Sequence, residues 1–396
     1  MTILGVVLGI IAVLLFLPVA ILLVEILGAL FMRKDGRGLT CPQRPAGLRV
    51  AVIVPAHNEE DGIGTTVCGI SSQLGAHDRL IVVADNCADA TVERARTAGA
   101  ETITRFDPQR RGKGYALDFG VRHLQADPPN IVVIVDADCR LGPGAINTLV
   151  ACVNEANTAA QAFNAVVLPR EANVEWRVAS FAWTIKNHLR PMGLAALGLP
   201  CQLMGTGMAI PWEAIRGINL ATGSIVEDVN MGLDVAALGF APIYCPAARV
   251  ESDFPTTERG FMVQRRRWEV GSLHVAMKTA PIMFLRGASS SNIPLMAMAL
   301  DLVVPPLTML LIVLMLGMIG SFIFVIAGGS TSFFALFALW LGGLTFTLVM
   351  AWFQFGRDVL LASDLAALPR IFVRKFSLYL IMWRDRGVGW VRTDRK

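Results

Sequence analysis

The stretch LRVAVIVPAHNEE (residues 48–60) opens as a run of apolar, largely β-branched residues and closes in polar loop residues. A short continuous apolar run of this kind fits a strand buried on both faces, as in parallel sheets. The same layout returns in DRLIVVADNCAD (78–89) and NIVVIVDADCR (130–140), with helix-compatible stretches between them. This alternation predicts parallel strands joined by crossover helices, an α/β domain over residues 48–290. Ligands of such sheets gather beyond the C-terminal strand ends. All three runs place carboxylates or amides there.

The rest of the chain is too apolar for an ordinary soluble protein. Of 396 residues, 54% are hydrophobic and 17% charged, and the mean hydropathy is +0.55. The net charge of +4 fits contact with anionic membrane lipid, and the broad basic patches of a nucleic-acid binder are missing. Seven cysteines without a CxxC pair indicate reduced thiols, with no zinc site or disulfide framework.

Residues 3–32 are apolar throughout apart from Glu25 and lack a basic start. The run exceeds the roughly 20 residues that cross a bilayer, so a retained spanning helix, tilted or kinked at Pro18, is expected over residues 1–33. Arg33, Lys34, Arg37, Arg44 and Arg49 follow it and should stay in the cytosol. A second apolar region, residues 294–353, is interrupted by AGGS and flanked by Lys278, Arg286 and Arg357, the pattern of a transmembrane hairpin. Asp301 at its start should sit at the interface or face protein. Three crossings then leave the N-terminus outside and residues 48–290 in the cytosol, against an inner or plasma membrane. Residues 357–396 read as an interfacial amphipathic segment, with Arg374 and Lys375 snorkelling to headgroups, and a basic cytosolic tail.

Within the α/β domain, Asp136 and Asp138 are two apart, so in an extended segment both carboxylates face one site. They are either a solvated strand end or a seat for Mg²⁺ or Mn²⁺ holding a diphosphate, since hard oxygen ligands suit those ions. Asp85 could accept from a nucleobase or ribose, while Asp89 could cap the next helix. Arg111 and Lys113 stand among glycines in QRRGKGYAL (109–117), where flexible backbone lets cations approach phosphate or sugar oxygens; the spacing is not that of a Walker loop. Gly205 and Gly207 flank Thr206, either for close approach to a ligand or for a tight turn. Glu227 and Asp228 open a helical pattern, as caps or with one carboxylate placed to remove a hydroxyl proton.

The ordered set VPAHNEE, ADN, RGKGYAL, DAD, GTGMAI, VED and QRRRW, set between membrane segments, resembles the family-2 inverting glycosyltransferases. Its nearest likeness is the membrane branch of cellulose, chitin, hyaluronan and poly-N-acetylglucosamine synthases. The resemblance covers roughly residues 48–290 and implies a GT-A fold, with a mainly parallel sheet flanked by transmembrane helices. It implies that Pro55, Ala56, Asn58 and Glu59 line a nucleotide pocket, with Asp85 reading uracil. Asp136 would lie near the donor, Asp138 on the diphosphate-bound metal, and Gly205, Thr206 and Gly207 near the acceptor sugar. Asp228 resembles the catalytic base, although Val226 stands where the family usually has Thr.

Gln264 and Trp268 are four apart and share a helical face, which lets Trp268 stack on an acceptor ring while Gln264 binds a hydroxyl. Arg267 resembles the arginine that steadies the leaving diphosphate, aided by Lys113; Arg265 and Arg266 face phosphate or lipid headgroups. The implied reaction transfers a hexose or N-acetylhexosamine from a UDP-sugar, with inversion, to a saccharide or lipid-linked acceptor. Extracellular or capsular polysaccharide formation comes first, glycosylation of a membrane lipid second. A non-catalytic membrane scaffold is a third and weaker alternative, and a homo-oligomer or export partner could complete a pore.

Overall fold

The computed structural model describes residues 2–31, 43–224, 226–254, 257, 260, 264, 269–271 and 273–384. The three apolar runs are β1 (Val50–Ala56), β2 (Arg79–Asp85) and β4 (Ile131–Ile134), and β3 (Glu101–Arg105) completes a parallel set in the order β3-β2-β1-β4. Alternate side chains feed two cores. Val50, Val52 and Val54 of β1 join Ile63, Val67 and Ile70 of α2 (Ile63–Ser71) on one face. Ala51 and Ile53 meet Leu117, Val121 and Leu124 of α4 (Lys113–Leu124) on the other. α3 (Thr91–Thr97) provides the crossover from β2 to β3.

The remaining strands are β5 (Cys139–Leu141), β6 (Ala160–Val167), β7 (Met208–Pro211) and β8 (Ile243–Asp253), and the full order is β3-β2-β1-β4-β7-β6-β8-β5. β7 lies antiparallel between β4 and β6, β6 runs parallel to β8, and β5 is antiparallel to β8. Between β4 and β5 the chain crosses from the centre of the sheet to its edge. α5 (Ala145–Ala156) covers one face. α6 (Val174–Thr184) continues through a π-helical turn, Ile185–Leu189, into α7 (Arg190–Ala196). α8 (Trp212–Ile215) and α9 (Glu227–Ala237) flank the loop that approaches α4.

Among the described residues, three helical stretches are long and apolar enough to cross a membrane: Ile3–Phe31, Leu307–Ile326 and Ser332–Gly356. The first belongs to α1 (Thr2–Phe31), one uninterrupted helix with Pro18 inside. Leu8, Leu15, Val19 and Leu22 of α1 pack with Leu310, Leu314, Phe337 and Leu344 of the other two. The apolar sequence from residue 294 is divided. A short helix, Ile293–Asp301, ends before Pro305 and Pro306, which cannot donate backbone hydrogen bonds, and the long apolar helix starts at Leu307. Leu295 and Met298 of the short helix pack on Leu233 and Ala236 of α9, so this part lies against the α/β domain.

α1 and α7 are fastened at one place. Arg190 Nε donates to Glu25 Oε2 at 2.6 Å, and the same guanidinium pairs with the Asp301 carboxylate. Gln202 Nε2 donates to the other Asp301 oxygen at 2.9 Å. Asp301 thus faces protein, one of the two placements expected of it. A Cβ on Gly193 would stand 1.7 Å from the Glu25 carbonyl oxygen, so only glycine lets the two backbones approach this closely. At the C-terminal end, the helix Leu368–Arg384 directs Arg374 to Glu175 at 2.8 Å and Lys375 to Glu269 at 2.9 Å. These charges reach protein carboxylates where snorkelling to headgroups was expected.

Gly193→Ala should force α1 from α7 and cost about 1–3 kcal/mol or more. Thermal unfolding of the purified chain in detergent should show a clear fall in Tm. Gly342→Ala, where an added Cβ meets nothing within 4 Å, should show none.

Candidate active site

Two cavities lie at the C-terminal ends of the parallel strands. One, of about 170 Å³, is bordered by Pro55, Ala56, Glu59 and Asp85. The other, of about 300 Å³, is bordered by Lys186, Gly205, Thr206, Asp228 and Gln264. Arg111, Gly112, Lys113, Asp136 and Asp138 border both, so the polar clusters that follow β1, β2 and β4 meet there.

Lys113 opens α4 and holds the boundary. Its ammonium pairs with the Asp136 carboxylate and donates to the Gly205 carbonyl at 2.6 Å. Burial alone would lower its pKa, but the charges of Asp136 and Glu227 outweigh this and hold it above the usual lysine value. Gly114 lets the 220–222 backbone lie on α4, since a Cβ there would meet Leu220 O at 2.6 Å and Thr222 O at 2.9 Å.

Asp136 and Asp138 share one side because of a turn, not an extended strand. Both follow the end of β4, and Cys139 N donates to Asp136 O at 3.1 Å to close the turn. Ligand atoms of Asp136, Asp138 and Cys139 lie within 4.8 Å of one another. Burial pushes the Cys139 thiol up to about 11, so it stays protonated near neutrality and is a poor ligand. The two carboxylates remain, a hard-oxygen pair of the kind that suits Mg²⁺ or Mn²⁺ with substrate oxygens completing the shell. One Asp136 oxygen is already engaged by Lys113.

The structure sorts the other sequence candidates. The Asp85 carboxylate is buried and held by Arg105 at 2.6 Å, a partner the sequence did not single out. Asn58 does not border the cavity; with φ of 54° it accepts from Ala88 N at 2.7 Å, tying the loops after β1 and β2 together. Asp89 accepts from Thr91 N at the start of α3, its capping alternative. Thr206 is buried, and its hydroxyl accepts from Asp136 N at 3.1 Å, which fixes the acidic turn. Gly207 has φ of 65° and lies against Val250 and Ala162, where a Cβ would stand 2.7 and 2.8 Å away. Gln264 is buried at the cavity wall. Arg265, Arg266, Arg267 and Trp268 lie outside the described residues.

Glu227 and Asp228 begin α9, and both border the larger cavity. Asp228 Oδ1 accepts from Val229 N at 2.9 Å. Burial pushes the Asp228 carboxyl above the ordinary range, while Lys113 draws it back. Burial, then the charge of Asp228, pushes Glu227 up to about 7. Lys186 and Arg190, which belong to none of the sequence motifs, also reach this cavity from the α6–α7 run. Their sequence signal is a pair of cations four apart in FAWTIKNHLRP (181–191).

A model of the family described as "Glycosyltransferase like family 2" matches residues 45–271. Among curated proteins, glucosyl-3-phosphoglycerate synthase of Mycolicibacterium paratuberculosis is 41% identical over 99 residues, 24% of this chain and 29% of that protein. The probable glycosyltransferase YdaM of Bacillus subtilis is 28% identical over 247 residues, 58% of this chain and 56% of that one. The chain thus spans less than two thirds of the length of either relative. Among solved structures, a mannosyltransferase of Pyrobaculum calidifontis in complex with GDP-Man and Mn²⁺ has a TM-score of 0.49 at 18% identity, covering 85% of this chain and 97% of that one. Glucosyl-3-phosphoglycerate synthase of Mycobacterium tuberculosis, with Mn²⁺, UDP and phosphoglyceric acid, has a TM-score of 0.34 at 27% identity, covering 52% and 69%. The chain belongs to glycosyltransferase family 2, and its α/β domain has the expected GT-A-like fold.

The thiol chemistry gives a direct check. At neutral pH, maleimide should label the exposed Cys68 of the folded chain and leave Cys139 unmodified until denaturant is added, as read by peptide mass spectrometry.

Proposed function

We propose that this protein transfers a hexose or N-acetylhexosamine from a UDP-sugar to a membrane-associated saccharide acceptor. The transfer proceeds with inversion and forms a β-linkage in extracellular or capsular polysaccharide, as in the cellulose-type membrane branch. One observation carries this proposal: a cavity at the strand ends and a second cavity bordered by Asp228 share the Lys113–Asp136–Asp138 boundary. The first takes the nucleotide, bordered by Pro55, Glu59 and Asp85; the second takes the acceptor.

In this mechanism Asp228 accepts the proton of an acceptor hydroxyl as that oxygen bonds to the anomeric carbon. The bond from that carbon to the diphosphate oxygen breaks, and UDP departs with the electron pair. Attack opposite the leaving group turns an α-linked donor into a β-linked product. The raised pKa of Asp228 makes it a stronger base than an exposed aspartate. Lys113 lies where the diphosphate would pass between the cavities and offsets its negative charge, with Arg267 assigned beside it by family resemblance. Asp136 and Asp138 would hold a divalent cation, which supplies Lewis-acid charge at the leaving diphosphate when bound. The apolar α1, Leu307–Ile326 and Ser332–Gly356 would cross the inner or plasma membrane and keep the domain on the cytosolic face. Glycosylation of a membrane lipid is the second reading, favoured by a mainly apolar slot of about 350 Å³ bordered by Phe181, Leu311, Leu348 and Trp352.

Asp228→Asn should lower sugar transfer by at least about 10³-fold and leave UDP binding within about twofold, as measured by product radioactivity and by calorimetry. Retained turnover overturns the base assignment. For pH, a base with a raised pKa must lose its proton to work, so activity should rise with pH through an ionisation above the ordinary aspartate range. Because Glu227 and Asp228 repel each other, Glu227→Gln should move that acid limb of kcat/KM to lower pH.

A further inference from the structure

One short loop holds both members of the charged pair at the cavity boundary. Gly205 O accepts from the Lys113 ammonium at 2.6 Å, and the Thr206 hydroxyl accepts from Asp136 N at 3.1 Å. Gly205 has φ of 85°, in the left-handed region that glycine reaches freely. A segment with this freedom does not aim its own carbonyl. Something outside the loop must turn Gly205 O toward Lys113.

The sheet ladder stops short of that task. β6 and β7 pair at Ala160–Ala209 and Gln161–Met208, and one further bond runs from Ala162 N to Gly207 O at 2.8 Å. Residues 204–206 lie beyond it, and side-chain amides of β6 take over. Gln161 Oε1 accepts from Met204 N at 2.8 Å, and Gln161 Nε2 donates to Thr206 O at 2.9 Å. Asn164 Nδ2 donates to Met204 O at 3.1 Å. The two Gln161 bonds grip the chain on either side of Gly205.

Gln161 is fully buried, so each of its polar atoms needs a protein partner. Nε2 also donates to Ala162 O at 2.8 Å, which occupies the second amide hydrogen. The site therefore asks for an acceptor and two donors on one side chain. An amide supplies them as a peptide group would; a carboxylate lacks the donors, and a methionine of similar size lacks both functions.

We infer that Gln161 is a positioning residue of the transferase site: its amide fixes the 204–206 loop, and through Gly205 O and the Thr206 hydroxyl it sets Lys113 against the Asp136 turn. This inference rests on the transferase proposal and adds to it a residue that meets no substrate itself. Its influence is delivered where the diphosphate would pass between the two cavities.

Calorimetric binding of UDP to the full-length chain in detergent, with Mg²⁺ present, tests the assignment as a double-mutant cycle. Gln161→Met should weaken UDP binding about fivefold, the worth of one hydrogen bond. Lys113→Met should weaken it about tenfold, the worth of one charge-assisted contact. Because the first acts through the second, the double variant should bind at least about threefold more tightly than the product of the single losses allows. Losses that simply multiply would mark a glutamine with a structural role alone and overturn the inference, as would undiminished binding by Gln161→Met. Hydrogen exchange of the unmodified chain supplies a reading that needs no variant. The Met204 amide should exchange as slowly as the amides of β7, and exchange at the rate of an exposed loop overturns the inference. Absence of UDP binding by the unmodified chain removes the transferase proposal and this inference together, whereas UDP binding with multiplying losses removes this inference only.

Discussion

Arg190 is the hinge pin on which the two halves of the molecule depend. Its guanidinium holds Glu25 of α1 and Asp301 at the end of a short helix, and it also borders the larger strand-end cavity. Each of these carboxylates would be a buried liability alone, and removing one member of such a set leaves an uncompensated charge. The cluster therefore specifies one docking of α1 on α7. Gly193, three residues on, allows the backbones to close over it. The long apolar helices and the α/β domain are in this way built as one packed unit.

The same economy of parts governs the polar end of the cavity system. Lys113 is reached by three chain segments: its own helix start, the acidic turn after β4 and the Gly205 carbonyl. Thr206 then ties that glycine loop to the turn through Asp136 N. The loop residues at 220–222 lie over α4 because Gly114 carries no side chain. Charges of opposite sign are therefore set at fixed spacing before any substrate arrives, which limits reorganisation during the reaction proposed for the site.

Much of this was legible in the sequence, for identifiable reasons. The three β-branched runs declared the parallel strands because burial on both faces removes the polar alternation that would hide them. Asp136, Asp138, Lys113 and Asp228 were legible because each follows a strand or opens a helix, where local pattern and chemistry coincide. Lys186 and Arg190 were missed because their segment alternates polar and apolar residues as any amphipathic helix does, and only packing against α1 reveals their direction. Asn58 and Thr206 carried the right motif, but their side chains serve neighbouring backbone, a distinction that depends on φ and on contacts far along the chain. The break before Leu307 was also hidden, since hydropathy averages across Pro305 and Pro306 while the backbone cannot.

The close crossing of α1 and α7 has a mechanical consequence. A helix of 30 residues is about 45 Å long, whereas the hydrocarbon layer is roughly 30 Å thick, so a spanning α1 leans or extends beyond that layer. With Gly193 seated on the Glu25 backbone there is no flexible tether at this contact to absorb a change of lean. Were α1 to span a bilayer, a change in its lean would act directly on α7, whose Arg190 and Leu194 border the larger cavity.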